Sequence, residues 1–166
     1  MTLERIWEGW RAGYIDTVTS EPGDSDECLF CSLAAADPDD ALVLARDELV
    51  FAVMNAYPYV SGHLMLAPLR HEAELDGLTE DEAGALMVMT QRATTALKAA
   101  FRPDGLNVGI NVGRAAGAGV PGHVHVHALP RWGGDTNFMT AVAETRVLPE
   151  DIRTSWQKLR DAWPDR

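Results

Sequence analysis

From Gly122 to Trp132 the chain reads GHVHVHALPRW, in which His123, His125 and His127 alternate with Val124, Val126 and Ala128. A period of two is the mark of a β-strand, whose successive side chains leave on opposite faces. The imidazoles then form one row about 7 Å apart, and the apolar residues face a core. Such a strand needs partners. The apolar runs Ala41 to Ala45 and Leu49 to Met54, separated by Arg46-Asp47-Glu48, predict a hairpin. A further run from His63 to Leu69 follows the breakers Tyr57-Pro58 and Ser61-Gly62, and Leu106 to Val112 alternates weakly as another strand.

Thr79 to Phe101 is the clearest helix. Thr79 with Glu82 fits a capping box, Leu86, Met89, Ala93, Ala96, Leu97 and Ala100 recur at helical spacing, and Pro103 and Gly105 end it. Residues 3–15 carry Leu3, Ile6, Trp7 and Trp10 at helix-like spacing, a segment expected to dock on something. Trp156, Leu159 and Trp163 suggest a last amphipathic helix. The segment 19–26 reads as a loop. No repeat or composition break divides the chain. The expectation is one α+β domain over residues 1–166, an antiparallel sheet covered on one face, with a core at about 28–138 between helical extensions.

A net charge of -11, from 25 acidic and 14 basic residues, repels nucleic acid and anionic lipid. No apolar run approaches the roughly 20 residues of a membrane span, and MTLERIWEGW lacks a signal-peptide core. A cytoplasmic protein with no nucleic-acid or membrane partner is expected. Its two cysteines, Cys28 and Cys31, are too close in sequence for an ordinary structural disulfide. In a reducing compartment they read as half a metal site or a redox pair, and the polar run before them, with no strand, favours metal.

Three readings compete for the histidine row: a solvated strand face, a row of metal ligands, or catalysis. The pattern His123-Val124-His125-Val126-His127-Ala128-Leu129 resembles the signature of the histidine triad family of nucleotide hydrolases and transferases. Asn55 ahead of Pro58, then Ser61-Gly62-His63 and the run LMLAP, resemble that family's nucleotide-binding strands. The stretch PRWGGDTNF resembles the branch containing diadenosine tetraphosphate phosphorylases.

The resemblance implies a histidine triad fold, commonly a homodimer with sheets joined across the interface. It also implies attack by His125 on the α-phosphate of an adenine nucleotide or dinucleoside polyphosphate, through a covalent nucleotidyl-histidine, with phosphate or water as acceptor. His127 would donate to phosphate oxygens, His63 would approach from the neighbouring strand, and Asn55 would meet the ribose or α-phosphate. Zinc-bearing relatives resemble this chain in joining a Cys-x-x-Cys to two histidines, here His71 and His123, around a structural zinc. The alternative is a binding or interaction module of the same fold without turnover.

The loop from Gly113 to Val120 has small residues apart from Arg114, so its backbone N–H groups, at Gly117, Ala118 and Gly119 in particular, could cradle phosphate. Asn111 is a candidate phosphate-contacting amide. The loop contains neither the glutamine usual in dinucleoside triphosphate hydrolases nor the serine usual in the phosphorylase branch, so both acceptors stay open. Glu72 and Asp76 receive no role, and Trp132 could line the site or close the strand end.

Overall fold

The computed structural model describes residues 28–135 and 148–165. The expected helix at 3–15 and loop at 19–26 lie outside the described residues. The elements in chain order are α1 (Leu29–Ala35), β1 (Val43–Arg46), β2 (Val50–Met54), β3 (Leu64–Pro68), α2 (Glu80–Phe101), β4 (Gly105–Ile110), β5 (Val126–Arg131) and α3 (Ile152–Asp161). Short 3-10 turns at Leu75–Gly77 and Arg114–Ala116 complete them.

The five strands form one antiparallel sheet in the order β1-β2-β3-β5-β4. The hairpin, the third strand and the α+β class are as the apolar runs predicted. Each strand divides its side chains between two faces. On the first, Val50, Ala52, Met54, Leu64, Leu66, Val126 and Ala128 pack against Leu86, Met89, Ala93, Ala96 and Leu97 of α2 and Trp156 and Leu159 of α3. On the second, Val43, Phe51, Val53, Met65 and Ala67 pack against Phe30 of α1. The sheet is therefore covered on both faces, where the sequence suggested one.

Helix α2 starts where its cap was expected. The Thr79 side chain accepts from the Glu82 N–H and the Glu82 carboxylate accepts from the Thr79 N–H, closing the capping box. It stops at Arg102, which takes a left-handed conformation before Pro103. Gly62 precedes β3 at φ +84°, and a Cβ there would lie 2.6 Å from the Phe101 ring, so only glycine fits this turn. Among the described residues, no helix is long and apolar enough to cross a membrane.

Candidate active site and metal centre

Hydrogen-bonded strand begins at Val126, not at His123 as the alternation suggested, because only from Val126 onward do β3 and β4 flank the chain. His123, Val124 and His125 form its lead-in, pinned where the Val124 N–H donates to the Glu72 carbonyl at 2.7 Å. The alternation of faces survives: Val126 and Ala128 enter the helix-side core, while His123 and His125 contact Phe30 on the other side.

The hydrogen bonds assign the imidazole tautomers, because a carbonyl oxygen can only accept. Nδ1 of His125 lies 2.7 Å from the His123 carbonyl and donates its hydrogen there. The Nε2 of a neutral ring then keeps its lone pair. Burial favours that neutral form by pushing the His125 pKa below its ordinary value, against a smaller opposing effect of the hydrogen bond to the His123 carbonyl. His125 is 2% exposed, and its neutral ring offers a basic lone pair at Nε2.

A second chain of hydrogen bonds fixes the other two rings. The Tyr59 N–H donates to Nδ1 of His63 at 3.1 Å, with the Asn55 amide nitrogen 3.3 Å from the same atom. A neutral His63 therefore holds its hydrogen on Nε2 and donates to Nδ1 of His127 at 2.9 Å. His127 in turn carries its hydrogen on Nε2, as a donor. The rings of His125 and His127 meet edge to face, 4.9 Å between centroids. One row thus holds an acceptor nitrogen beside a donor nitrogen.

Asn55 is fixed by accepting from the Tyr57 N–H at 2.9 Å, and its amide points to His63. In the small-residue loop, the Ala116 and Ala118 N–H groups donate to the Gly113 carbonyl and the Gly117 N–H to that of Arg114. The N–H groups of Gly117 and Ala118, expected to cradle phosphate, thus serve the loop's own turn. Asn111 likewise donates to the Gly117 carbonyl at 3.5 Å and clasps the loop.

Cys28, Cys31, His71 and His123 bring four ligand atoms within 4.8 Å of one another and could hold a metal ion. Sγ of Cys28 lies 3.4 Å from Nδ1 of His123, and Sγ of Cys31 lies 3.4 Å from Nδ1 of His71 and 3.8 Å from that of His123. Nε2 of His123 donates to the Pro68 carbonyl at 3.0 Å, so its Nδ1 lone pair faces the sulfurs. Burial lowers the His123 pKa and raises that of the Cys31 thiol, and the neighbouring Cys28 adds to the rise. His71 is flanked by two anchored residues: the Arg70 guanidinium holds Glu82, Glu72 and the Gly77 carbonyl, and the Glu72 carbonyl holds Val124.

Sequence reading missed three participants. Phe30 packs on His125 with centroids 4.7 Å apart, Tyr59 supplies the N–H that orients His63, and Pro68 orients His123 through its carbonyl. Two of these act through backbone, which leaves no residue-type signal. Trp132 sits edge-on to Phe101, at the end of β5.

Residues 38–134 match the family model of the HIT domain. The chain belongs to the HIT family. Over 165 residues, 97% of this chain and 85% of the relative, it is 40% identical to AP-4-A phosphorylase of Mycobacterium tuberculosis. Among solved structures, a zinc-bound histidine triad family protein from Mycobacterium smegmatis superposes with a TM-score of 0.68 at 29% identity, covering 84% of this HIT chain and 94% of that one. A hypothetical histidine triad nucleotide-binding protein from Sulfolobus tokodaii gives 0.66 at 27% identity, covering 81% and 91%.

Proposed function

We propose that this HIT protein is a nucleotide-processing enzyme that transfers a nucleotidyl group from a dinucleoside polyphosphate through a covalent bond to His125. The observation that carries the reading is the 2.7 Å bond from His125 Nδ1 to the His123 carbonyl, which leaves Nε2 as the nucleophilic atom. Nε2 bonds to the α-phosphorus and the bond from that phosphorus to the bridging oxygen breaks. The remaining polyphosphate departs with the electron pair. The Nε2 hydrogen of His127, set by His63, stabilises charge on the phosphoryl oxygens. In the second step an oxygen of phosphate or water attacks the same phosphorus and the P–N bond breaks. Phosphate yields the nucleoside diphosphate; water yields the monophosphate and a proton.

The 40% identity to a protein named AP-4-A phosphorylase supports phosphate as the acceptor. Asn55 beside His63 is placed to meet the ribose or α-phosphate. Asn111, Gly117, Ala118 and Gly119 shape the polyphosphate side, with Gly117 and Ala118 contributing as a preformed turn.

The four-ligand cluster fits zinc. Bonds of about 2.3 Å to sulfur and 2.0–2.1 Å to nitrogen in a tetrahedron separate S and N by about 3.6 Å; three of the four S···N pairs lie at 3.4, 3.4 and 3.8 Å, and all four ligand atoms lie within 4.8 Å of one another. With Cys28, Cys31, His71 and His123 all bound, the shell is closed, so zinc would brace the fold and leave the chemistry to His125. Reduced cysteines in that role suit the cytoplasm. The exposed edge of β4, with Val108 47% exposed, suits pairing with a second copy into a homodimer.

The deciding assay incubates purified protein with diadenosine tetraphosphate, with and without phosphate. ATP plus ADP formed only with phosphate supports phosphorolysis, ATP plus AMP from water alone gives hydrolysis, and no turnover leaves the binding module instead.

A further inference from the structure

The two cysteines of the four-ligand cluster bracket a residue whose side chain can neither ligate a metal nor hydrogen-bond. Phe30 lies between Cys28 and Cys31 and is fully buried. Its ring contacts His125 at 4.7 Å with a tilt of 32°, His123 at 5.2 Å, and Phe51 edge-on at 6.4 Å. The His125 ring turns about its Cβ–Cγ bond, a rotation that the one hydrogen bond at Nδ1 opposes and that swings Nε2. A flat wall against the ring face removes that freedom. His127, meeting the same ring at 71°, cannot supply a parallel wall.

We infer that Phe30 is a positioning residue for His125, holding the ring plane in which Nδ1 meets the His123 carbonyl and Nε2 is presented for attack; the inference rests on His125 being the nucleophile. Phe30 has no polar atom, so it acts by shape alone. Its backbone cannot shift easily, because the residues on either side of it in the Cys-x-x-Cys are fastened toward His71 and His123. The Cys-Leu-Phe-Cys segment thus joins the metal centre to the back of the nucleophile. Misplacement of a reacting group by a fraction of an ångström is felt mainly in turnover and little in binding.

The test compares Phe30→Leu with Phe51→Leu in the full-length, zinc-loaded protein. Phe51 occupies the same apolar cluster and touches Phe30, so it controls for loss of packing alone. Turnover of diadenosine tetraphosphate is read together with the proton resonance of His125 Nδ1–H and the zinc content. Phe30→Leu is expected to lower kcat about tenfold with KM within about twofold, and to broaden the resonance by faster exchange, at unchanged zinc content. Phe51→Leu is expected to leave both near wild type. Equal losses in the two variants, or a wild-type kcat and resonance in Phe30→Leu, would overturn the inference. Should Phe30→Leu lose zinc, Phe30→Met is read by the same criteria. If the wild-type chain itself shows no turnover, the nucleotidyl-transfer reading fails separately, and the resonance alone decides on Phe30.

Discussion

At the scale of single residues, the site is a set of fixed hydrogens. His125 gives its hydrogen to a carbonyl and His127 receives one from His63, so two chemically identical side chains end as acceptor and donor. His125→Ala removes the acceptor, and kcat is expected to fall by at least about 10⁴-fold while zinc content and melting temperature stay close to wild type; turnover assays and metal analysis check this. Substantial residual turnover would sink the covalent route. His63→Ala leaves the His127 tautomer unset and is expected to cost about 10²-fold, chiefly in kcat. The histidines were legible because a period of two cannot be hidden. The groups that orient them were not, since the His123 and Pro68 carbonyls and the Tyr59 N–H belong to the main chain, which every residue shares.

At the scale of elements, legibility followed length and local chemistry. Helix α2 has six turns of apolar spacing and a reciprocal cap, both of which act over a few residues, so sequence located it to within one position. Helix α1 has seven residues, too few to display a period, and it is held by Phe30 and the cysteines contacting residues far along the chain. The same distant contacts explain the start of β5, which depends on where β3 and β4 reach. The cap of α2 also predicts a pH effect. Hydrogen bonds from Arg70, then from Thr79, hold the Glu82 carboxyl down at about 2 from its usual 4.5. A carboxylate with a depressed folded value stabilises fully above its unfolded value and loses that stability as pH falls. Thermal melts are therefore expected to worsen between about pH 4.5 and 2, and Glu82→Gln to flatten that slope while costing about 1–2 kcal/mol at neutral pH. A parallel slope in the variant would assign the effect elsewhere.

At the scale of the whole molecule, strand order was the least legible property, because nothing local in β4 or β5 states which neighbour each will take. The four-ligand cluster proposed to hold zinc is likewise a long-range object, joining residues 28, 31, 71 and 123. With zinc bound there as proposed, stripping it with a chelator removes a cross-link worth about 3 kcal/mol, and the melting temperature is expected to drop roughly 6–12 °C. Recovery on adding zinc, with no metal bound to His125 or His127 in absorption spectra of a cobalt-substituted form, completes the check. Leu159→Ala, on the buried face of α3 in the helix-side core, is expected to cost about 2–5 kcal/mol yet leave kcat unchanged in the fraction that remains folded. Its expected silence in turnover comes from the two-sided sheet. One side is an inert keel of apolar packing and the other carries the histidines that would handle phosphorus, so the protein can drift in robustness through substitutions beneath α2 and α3 without retuning its reactivity.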